Sequence, residues 1–300
     1  MAQKMTSRQT SHVLVLAGVE EEAKMPTTLF EHDYRTIAAD FADGVLKLSI
    51  NRAENLNAIN YYVLEEFLDA LGHAARLDEV RVVALAGVGD RAFSSGDDLR
   101  DFARPEGVGP GPEPGYSRTP HQVLEMTVSQ LPKPVVALLK GYCLGAGFDL
   151  ALACDIRLAA DNLAMGDQRP MRAISTLVGS SWFLPRIVGL GRASELLMTG
   201  RRCDAAESER IGMVNFVWPL AEFDGQADEY CRNLATMPTY CLGTNKTNIR
   251  YGLEHPLEES LLAELVRLQI NARTPDAAEG RLSFQQRREP AYNGRGPEVV

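Results

Sequence analysis

The residues best placed to do chemistry lie in a glycine-rich stretch near the middle of the 300-residue chain. Gly141, Gly145 and Gly147 follow an apolar run, residues 134–139, and precede a second one, residues 148–153. We predict a buried strand, a tight turn in which glycine lets the backbone approach a ligand, and a helix. The unpaired N–H groups at a helix N-terminus favour negative charge, either resident or developing during a reaction. An open alternative is that the small residues only allow a helix and a strand to pack closely.

The glycine spacing differs from the common nucleotide-binding motifs. The order G-x-x-x-G-x-G is wrong for the dinucleotide fingerprint G-x-G-x-x-G, and no Gly-Lys-Ser/Thr sequence ends it as in a P-loop. A second stretch of small residues, 92–97, contains Ser94, Ser95 and Gly96 and is also predicted to turn into a helix. The chain therefore has two turns of similar composition.

The segments that must position these turns follow an α/β pattern. Residues 36–41 and 45–50 favour strands and flank Asp43-Gly44, which predicts a hairpin. Asn57 is predicted to cap a helix whose apolar face is formed by Val63, Leu64, Phe67, Leu68 and Leu71. A strand over residues 80–85 completes a strand–helix–strand unit, which indicates a largely parallel sheet.

Further elements are predicted along the rest of the chain. Helices are expected at residues 122–131, 182–188, 193–198 and 205–211, strands at 154–160 and 213–217, and an irregular segment at 163–179. From residue 220 onward the pattern is helical. We therefore divide the chain into an N-terminal extension (1–32), an α/β core (33–218) and a helical C-terminal region (219–300). A loop rich in proline and glycine, residues 104–120, is either a pocket wall or plain surface loop.

Composition excludes several classes of function. The formal charge of −9 argues against a nucleic-acid partner bound through a broad basic surface, and no apolar run is long enough for a membrane span. The five cysteines and five histidines are scattered without metal-ligand spacing, so we expect no metal site. Reduced thiols, and an N-terminal apolar run too short for a secretory signal, predict a cytoplasmic protein, although a mitochondrial presequence stays open.

Taken in order, the motifs resemble those of the enoyl-CoA hydratase/isomerase (crotonase) superfamily, over roughly residues 35–294. The segments that carry the resemblance are 48–52 (LSINR) with 56–58 (LNA), 92–99 (AFSSGDDL), 134–137 (PVVA), 141–147 (GYCLGAG), 154–155 (CD), 197–201 (LMTGR), 212–215 (GMVN), and Gly280, Phe284, Arg287, Arg288 and Pro290 in the tail.

The resemblance implies a crotonase-like spiral of ββα units with a C-terminal helical oligomerisation region, assembled as a homotrimer or a dimer of trimers. It implies that the two turns meet, and that the backbone N–H groups of Asp97 and Ala146 form an oxyanion hole for an acyl-CoA thioester. It places coenzyme A, as part of the substrate and not as a tightly bound cofactor, against six residues: Asn55, Leu56, Ala58, Arg100, Phe284 and Arg287. Ala146 stands where the family usually has glycine, which requires that its φ angle not be positive.

The resemblance also assigns the proton-transfer groups, and here the chain departs from the family pattern. The first glutamate of the family's hydratases corresponds to Asp149, and the second corresponds to Arg169, which cannot act as an ordinary acid or base. Asp167, two residues earlier, could take the vacated place. Hydration needs two such groups, so a two-carboxylate hydratase mechanism is in doubt.

We therefore expect an acyl-CoA enzyme of the hydratase/isomerase type with one carboxylate as acid and base. The alternatives are a decarboxylase, hydrolase or C–C lyase of the same superfamily, or a non-catalytic CoA-binding homologue. RNA binding, known in this family, is disfavoured by the negative charge and by the lack of a helix rich in lysine and arginine.

Overall fold

The computed structural model describes residues 33–100 and 118–297. The predicted N-terminal extension and most of the loop at residues 104–120 lie outside this part of the chain.

The strands in the described part are β1 Ile37–Ala42, β2 Val45–Ile50, β3 Val82–Gly87, β4 Ala92–Ser94, β5 Val135–Leu139, β6 Tyr142–Leu144, β7 Ile156–Ala160, β8 Ala164–Gly166, β9 Cys203–Asp204 and β10 Phe216–Trp218. The helices are α1 Tyr61–Arg76, α2 Pro120–Gln130, α3 Ala146–Ala153, α4 Ser180–Val188, α5 Leu190–Thr199, α6 Ala205–Arg210, α7 Leu220–Ala235, α8 Thr239–Gly252, α9 Leu257–Asn271 and α10 Pro275–Gln286.

Six strands form the main sheet, in the order β1-β2-β3-β5-β7-β10. Strands β1 and β2 are the predicted antiparallel hairpin, and every later pairing in this sheet is parallel. The central strands β3 and β5 are buried along their whole length, as both faces of a parallel sheet normally are. The prediction of an α/β fold with a largely parallel sheet is confirmed.

A smaller sheet carries the two glycine-rich turns. Its order is β4-β6-β8-β9, and β4 and β6 are parallel neighbours. Because parallel neighbours end at the same edge, the turns that follow β4 and β6 lie side by side. The sequence did not predict β6 or β8, since strands of three residues are too short to show a period-two pattern.

The first helix corrects one prediction. The N-cap of α1 is Asn60, whose side chain accepts a hydrogen bond from the Val63 amide, and not Asn57. Asn57 has a left-handed φ of 53°. Its side-chain amide nitrogen donates hydrogen bonds to Ala92 O at 2.6 Å and to Val88 O at 3.1 Å. The residue therefore joins the loop before α1 to the segment that leads into β4.

The helical C-terminal region begins where it was predicted to begin. Helix α7 covers the main sheet with Phe223, Ala227 and Cys231, which pack against β3, β5 and β7. The predicted strand at residues 213–217 is shifted, because the amides of Met213 and Val214 bond back to Ser208 O at the end of α6. In the described residues, no helix is both long enough and apolar enough to cross a membrane.

Candidate active site

The two glycine-rich turns are in direct contact. Gly96 and Gly145 both have positive φ angles, 97° and 53°. A Cβ atom added to Gly96 would lie 3.0 Å from Leu144 O and 3.5 Å from Ala146 N. One added to Gly147 would lie 2.5 Å from the Ser94 side chain. Glycine is therefore needed at these positions for the approach of one turn to the other.

Within the residues that the structure describes, one backbone amide in each turn has no acceptor. Gly145 N–H donates to Gly166 O at 3.2 Å, and Gly96 N–H donates to Ser94 Oγ at 3.2 Å. In contrast, no acceptor within the described part of the chain takes a hydrogen bond from the N–H of Asp97 or of Ala146. Ala146 is the first residue of α3 and does not have a positive φ. The alanine at this position is therefore compatible with the turn.

The loop that precedes α1 braces the turn around Gly96. Ile59 N–H donates to Gly96 O at 2.8 Å, Asp98 N–H donates to Ile59 O at 2.8 Å, and Ser95 N–H donates to Leu56 O at 3.0 Å. The buried Arg52 guanidinium donates to Asp98 Oδ2 at 2.8 Å and to Ala58 O at 2.7 Å. These contacts fix the direction of the Asp97 amide.

A buried cluster of ionic groups lies beside the first turn of α3. Arg169 donates from Nε and Nη2 to both oxygens of Asp167, at 2.7 and 2.8 Å, and from Nη2 to Asp149 Oδ2 at 2.7 Å. The second oxygen of Asp149 accepts from the Ser180 amide at 3.0 Å. The Asp149 side chain is inaccessible to solvent. Both of its oxygens are therefore held in place.

The opposing electrostatic effects in the cluster bring the pKa of Asp149 close to neutral pH. Burial raises the pKa of Asp149 to about 6, although the Arg169 charge and the Ser180 hydrogen bond oppose the rise. Burial acts to lower the pKa of Arg169, but its hydrogen bonds and charge pairing with Asp167 and Asp149 outweigh burial and raise it. Arg169 thus remains a cation, while Asp149 can exist in either protonation state near neutral pH.

The residues predicted to bind coenzyme A fall into two groups. Asn55, Leu56 and Ala58 belong to the loop that braces the Gly96 turn, and Arg100 is exposed three residues beyond Asp97. Phe284 and Arg287 lie on and just after α10 and are exposed. Neither of those two side chains bonds to the loop or to the turns within the described residues. The structure thus places the loop at residues 55–58 and Arg100 beside the Gly96 turn.

A large cavity opens between α2, the segment that leads into α4, and α8. It has a volume of about 840 Å³ and includes Glu125, Met126, Trp182, Phe183 and Tyr251 in its wall. Its wall combines these apolar side chains with charged and polar ones, so it offers contacts to both apolar and polar parts of a ligand. No cluster of three or more metal-ligating side chains occurs in the described residues.

The sequence interpretation missed three buried polar residues, Arg52, His121 and Glu125. His121 Nε2 lies 2.8 Å from Asp97 Oδ1 and links α2 to the Gly96 turn. A usable signal existed for Glu125, since it lies beside Leu124 and three residues before Val128 on the face of α2 that is buried. A charged residue on an apolar helix face is unusual and marks a position to inspect.

Comparison with known proteins identifies the family of the chain. The sequence profile of the enoyl-CoA hydratase/isomerase family matches residues 40–295. The chain is 32% identical over 256 residues to 1,2-epoxyphenylacetyl-CoA isomerase of Escherichia coli, covering 84% of this chain and 96% of that protein. The crystal structure of enoyl-CoA hydratase from Bacillus anthracis superposes with a TM-score of 0.80 at 32% identity, covering 87% of this chain and all of that one. The enoyl-CoA hydratase of Mycobacterium smegmatis, at 24% identity and a TM-score of 0.76, supports the fold alone and covers 86% and 99% of the two chains.

The chain belongs to the enoyl-CoA hydratase/isomerase (crotonase) superfamily. Its mixed α/β fold with C-terminal helices is the crotonase fold, as the resemblance implied.

Proposed function

We propose that this protein converts acyl-CoA thioesters by stabilising a thioester enolate between the backbone amides of Asp97 and Ala146. The observation that carries the proposal is a pair of N–H groups, on two turns that touch each other, for which the described part of the chain offers no acceptor. A thioester oxygen gains negative charge when the neighbouring carbon loses a proton, and fixed donors stabilise that charge. Each such donor contributes about 3 kcal/mol to the transition state in comparable sites.

Asp149 is the proposed base that removes the proton. It lies on the first turn of α3, three residues after Ala146, so one helix end supplies both an amide and a carboxylate. A pKa of about 6 suits proton transfer near neutral pH, because the group can accept a proton and release it again.

The chain lacks a free second carboxyl group at the position that the family's hydratases use. Arg169 occupies the position of the second hydratase glutamate, and Asp167 is held by two hydrogen bonds from the same guanidinium. Neither residue is a free acid that could cooperate with Asp149 to add water. The E. coli relative is named 1,2-epoxyphenylacetyl-CoA isomerase, which agrees with an isomerase function. Decarboxylation, hydrolysis or C–C cleavage of an acyl-CoA remain the alternatives.

A non-catalytic CoA-binding role is the second candidate. The complete burial of Asp149 and its pairing with Arg169 are the observations that favour it. In this case the protein would bind coenzyme A thioesters through the loop at residues 55–58 and Arg100, with Phe284 and Arg287 reached through assembly, and would leave the thioester unchanged.

We further propose that the chain assembles through its C-terminal helices as a trimer or a dimer of trimers. Apolar side chains of α9 are more than half exposed in the single chain, including Leu257, Leu261, Leu262, Leu265 and Val266. A face of this kind is normally covered by another protein surface, and copies of the same chain are the simplest partner.

Proton exchange in D₂O tests the enzymatic proposal. The full-length protein is incubated with a saturated acyl-CoA, and mass spectrometry follows deuterium at the carbon next to the thioester. Turnover of 2-enoyl-, 3-enoyl- and carboxyacyl-CoA thioesters is measured in parallel. We expect deuterium incorporation and conversion of the 3-enoyl substrate. Binding of the thioesters without exchange or turnover would establish the non-catalytic role.

A further inference from the structure

Helix α2 brings a second carboxyl group to the proposed site. Glu125 is 5% exposed, and its Oε2 atom has no hydrogen-bond partner in the described residues. Glu125 also forms part of the wall of the 840 Å³ cavity. Buried carboxyl oxygens without a partner are rare because their desolvation is uncompensated, so this one needs an explanation.

The charges around Glu125 come from the cluster at α3. Burial first, and then the negative charge of Asp149, raise the pKa of Glu125 well above its usual range, while the Arg169 cation opposes the rise. These influences favour the neutral carboxylic acid, which has a proton to give. Helix α2, which carries Glu125, packs against α3, which carries Asp149.

Asp149 is poorly suited to carry a proton from one carbon to another. Its two oxygens are fixed by the Ser180 amide and by Arg169, and its side chain has no solvent-accessible surface. A carboxylate that shuttles a proton alone must reach both carbons. The free oxygen of Glu125, on a different helix and in the cavity wall, can serve a second carbon without any movement of Asp149.

We propose that Glu125 is the second proton-transfer residue of this enzyme and donates a proton to a carbon of the acyl chain farther from the thioester. This inference rests on the proposed enzymatic function. The substrate class that it indicates is a 3-enoyl thioester, which is converted to the 2-enoyl isomer.

The steps balance as follows. The Asp149 carboxylate takes a proton from C2, and the electron pair of that C–H bond enters the thioester to give a dienolate. C4 of the dienolate takes the proton of the Glu125 carboxylic acid, and the double bond moves from C3–C4 to C2–C3. Asp149 is then protonated and Glu125 ionised. The cycle closes when the proton on Asp149 passes to Glu125 after the product leaves, which returns Asp149 to the carboxylate and Glu125 to the acid.

Two reactions measured on one variant distinguish the role of Glu125 from that of Asp149. In Glu125→Gln the side chain keeps its size but cannot donate an acidic proton. We expect exchange at C2 of a saturated acyl-CoA in D₂O to stay within about threefold of wild type, and 3-enoyl-CoA isomerisation to fall by about 10²-fold or more. The matched control is Glu65→Gln, the same change at an exposed position of the neighbouring helix α1, which leaves both rates unchanged.

Three results would overturn the inference. Glu125→Gln could isomerise at the wild-type rate, or lose C2 exchange to the same extent as isomerisation, and either result refutes the division of roles. Absence of exchange in the wild-type protein refutes the enzymatic proposal itself and this inference with it. Thermal melting checks that the variant is folded, and if it is not, Glu125→Asp replaces it. The shorter acid should slow isomerisation at least tenfold while C2 exchange is retained, and equal loss of both rates contradicts the inference.

Discussion

At the scale of single residues, Asp149 experiences opposing influences whose balance sets its protonation. Burial favours the neutral acid, while Arg169 and the Ser180 amide favour the anion. Because the proposed base acts only when it is ionised, kcat/KM should rise with pH to a plateau above about 6. Asp149→Asn should be slower by about 10²-fold or more and should lose this dependence. A pH–rate profile of both proteins on a 3-enoyl-CoA checks the prediction, and a wild-type profile without the acidic limb would contradict it.

Arg169 is expected to have a larger effect on stability than a surface arginine. Arg169→Gln leaves Asp149 and Asp167 buried without their cation, so it should lower the free energy of unfolding by about 3 kcal/mol or more. The loss should be greatest above pH 6 and smaller at lower pH. The unpaired carboxyls then have raised pKa values, and the folded state is stabilised once they take up protons. Urea denaturation at acidic and neutral pH measures this effect, with exposed Arg192→Gln as the control. Equal losses in the two variants would contradict the role assigned to Arg169.

The residues of the site were only partly predictable. The sequence singled out Asp97, Ala146, Asp149, Asp167 and Arg169 because they occupy motif positions, and their roles stay a prediction. The sequence did not show which side chains pair inside the fold. Asp149 and Arg169 meet only because α3 packs against the 3₁₀ turn Arg169–Arg172. Glu125 was missed for a different reason. Helix α2 carries no motif, and the role of a carboxyl group on it depends on the residues of α3 that pack against the helix.

At the scale of elements, the contact between the two turns carries the proposed chemistry. Gly96→Ala would place a methyl group 3.5 Å from the Ala146 amide and 3.0 Å from Leu144 O. It should reduce turnover by about 10²-fold, the effect of one lost donor. It should also cost about 1 kcal/mol of stability because φ is positive. Kinetics on the 3-enoyl substrate together with urea denaturation measure both effects.

Gly89→Ala is the matched control for this variant. Gly89 has a φ of 81°, but an added Cβ would have no atom within 4 Å. It should therefore lose similar stability and keep full activity. Loss of activity in both variants would show that backbone strain, and not the contact between the turns, is responsible.

Helices and strands with a clear apolar periodicity were predictable, and strands of three residues were not. The strands of the β1–β2 hairpin and β5 were each found within one residue, and the apolar face of α1 was found although its cap was not, because these apolar patterns extend over five residues or more. Strands β6 and β8 have three residues each and depend on pairing with each other. The Asn57 cap was wrong because a polar residue before an apolar run can equally join two loops, as Asn57 does.

At the scale of the whole molecule, the C-terminal helices leave apolar surface uncovered. Leu265→Glu on α9 should dissociate the proposed oligomer, because a buried unpaired charge at an interface is strongly unfavourable. Sedimentation velocity should show a fall from the trimer or hexamer to the monomer. The same-helix control Glu258→Gln should leave the sedimentation coefficient unchanged. A wild-type protein that sediments as a monomer would refute the assembly.

The most direct test of the central claim is a crystal structure of the full-length protein with a saturated acyl-CoA bound. We predict that the thioester oxygen lies within about 3.2 Å of both the Asp97 and the Ala146 amide nitrogens. We also predict that the carbon next to the thioester faces Asp149. A thioester oxygen that is bound elsewhere, or that meets only one of the two amides, would contradict the account.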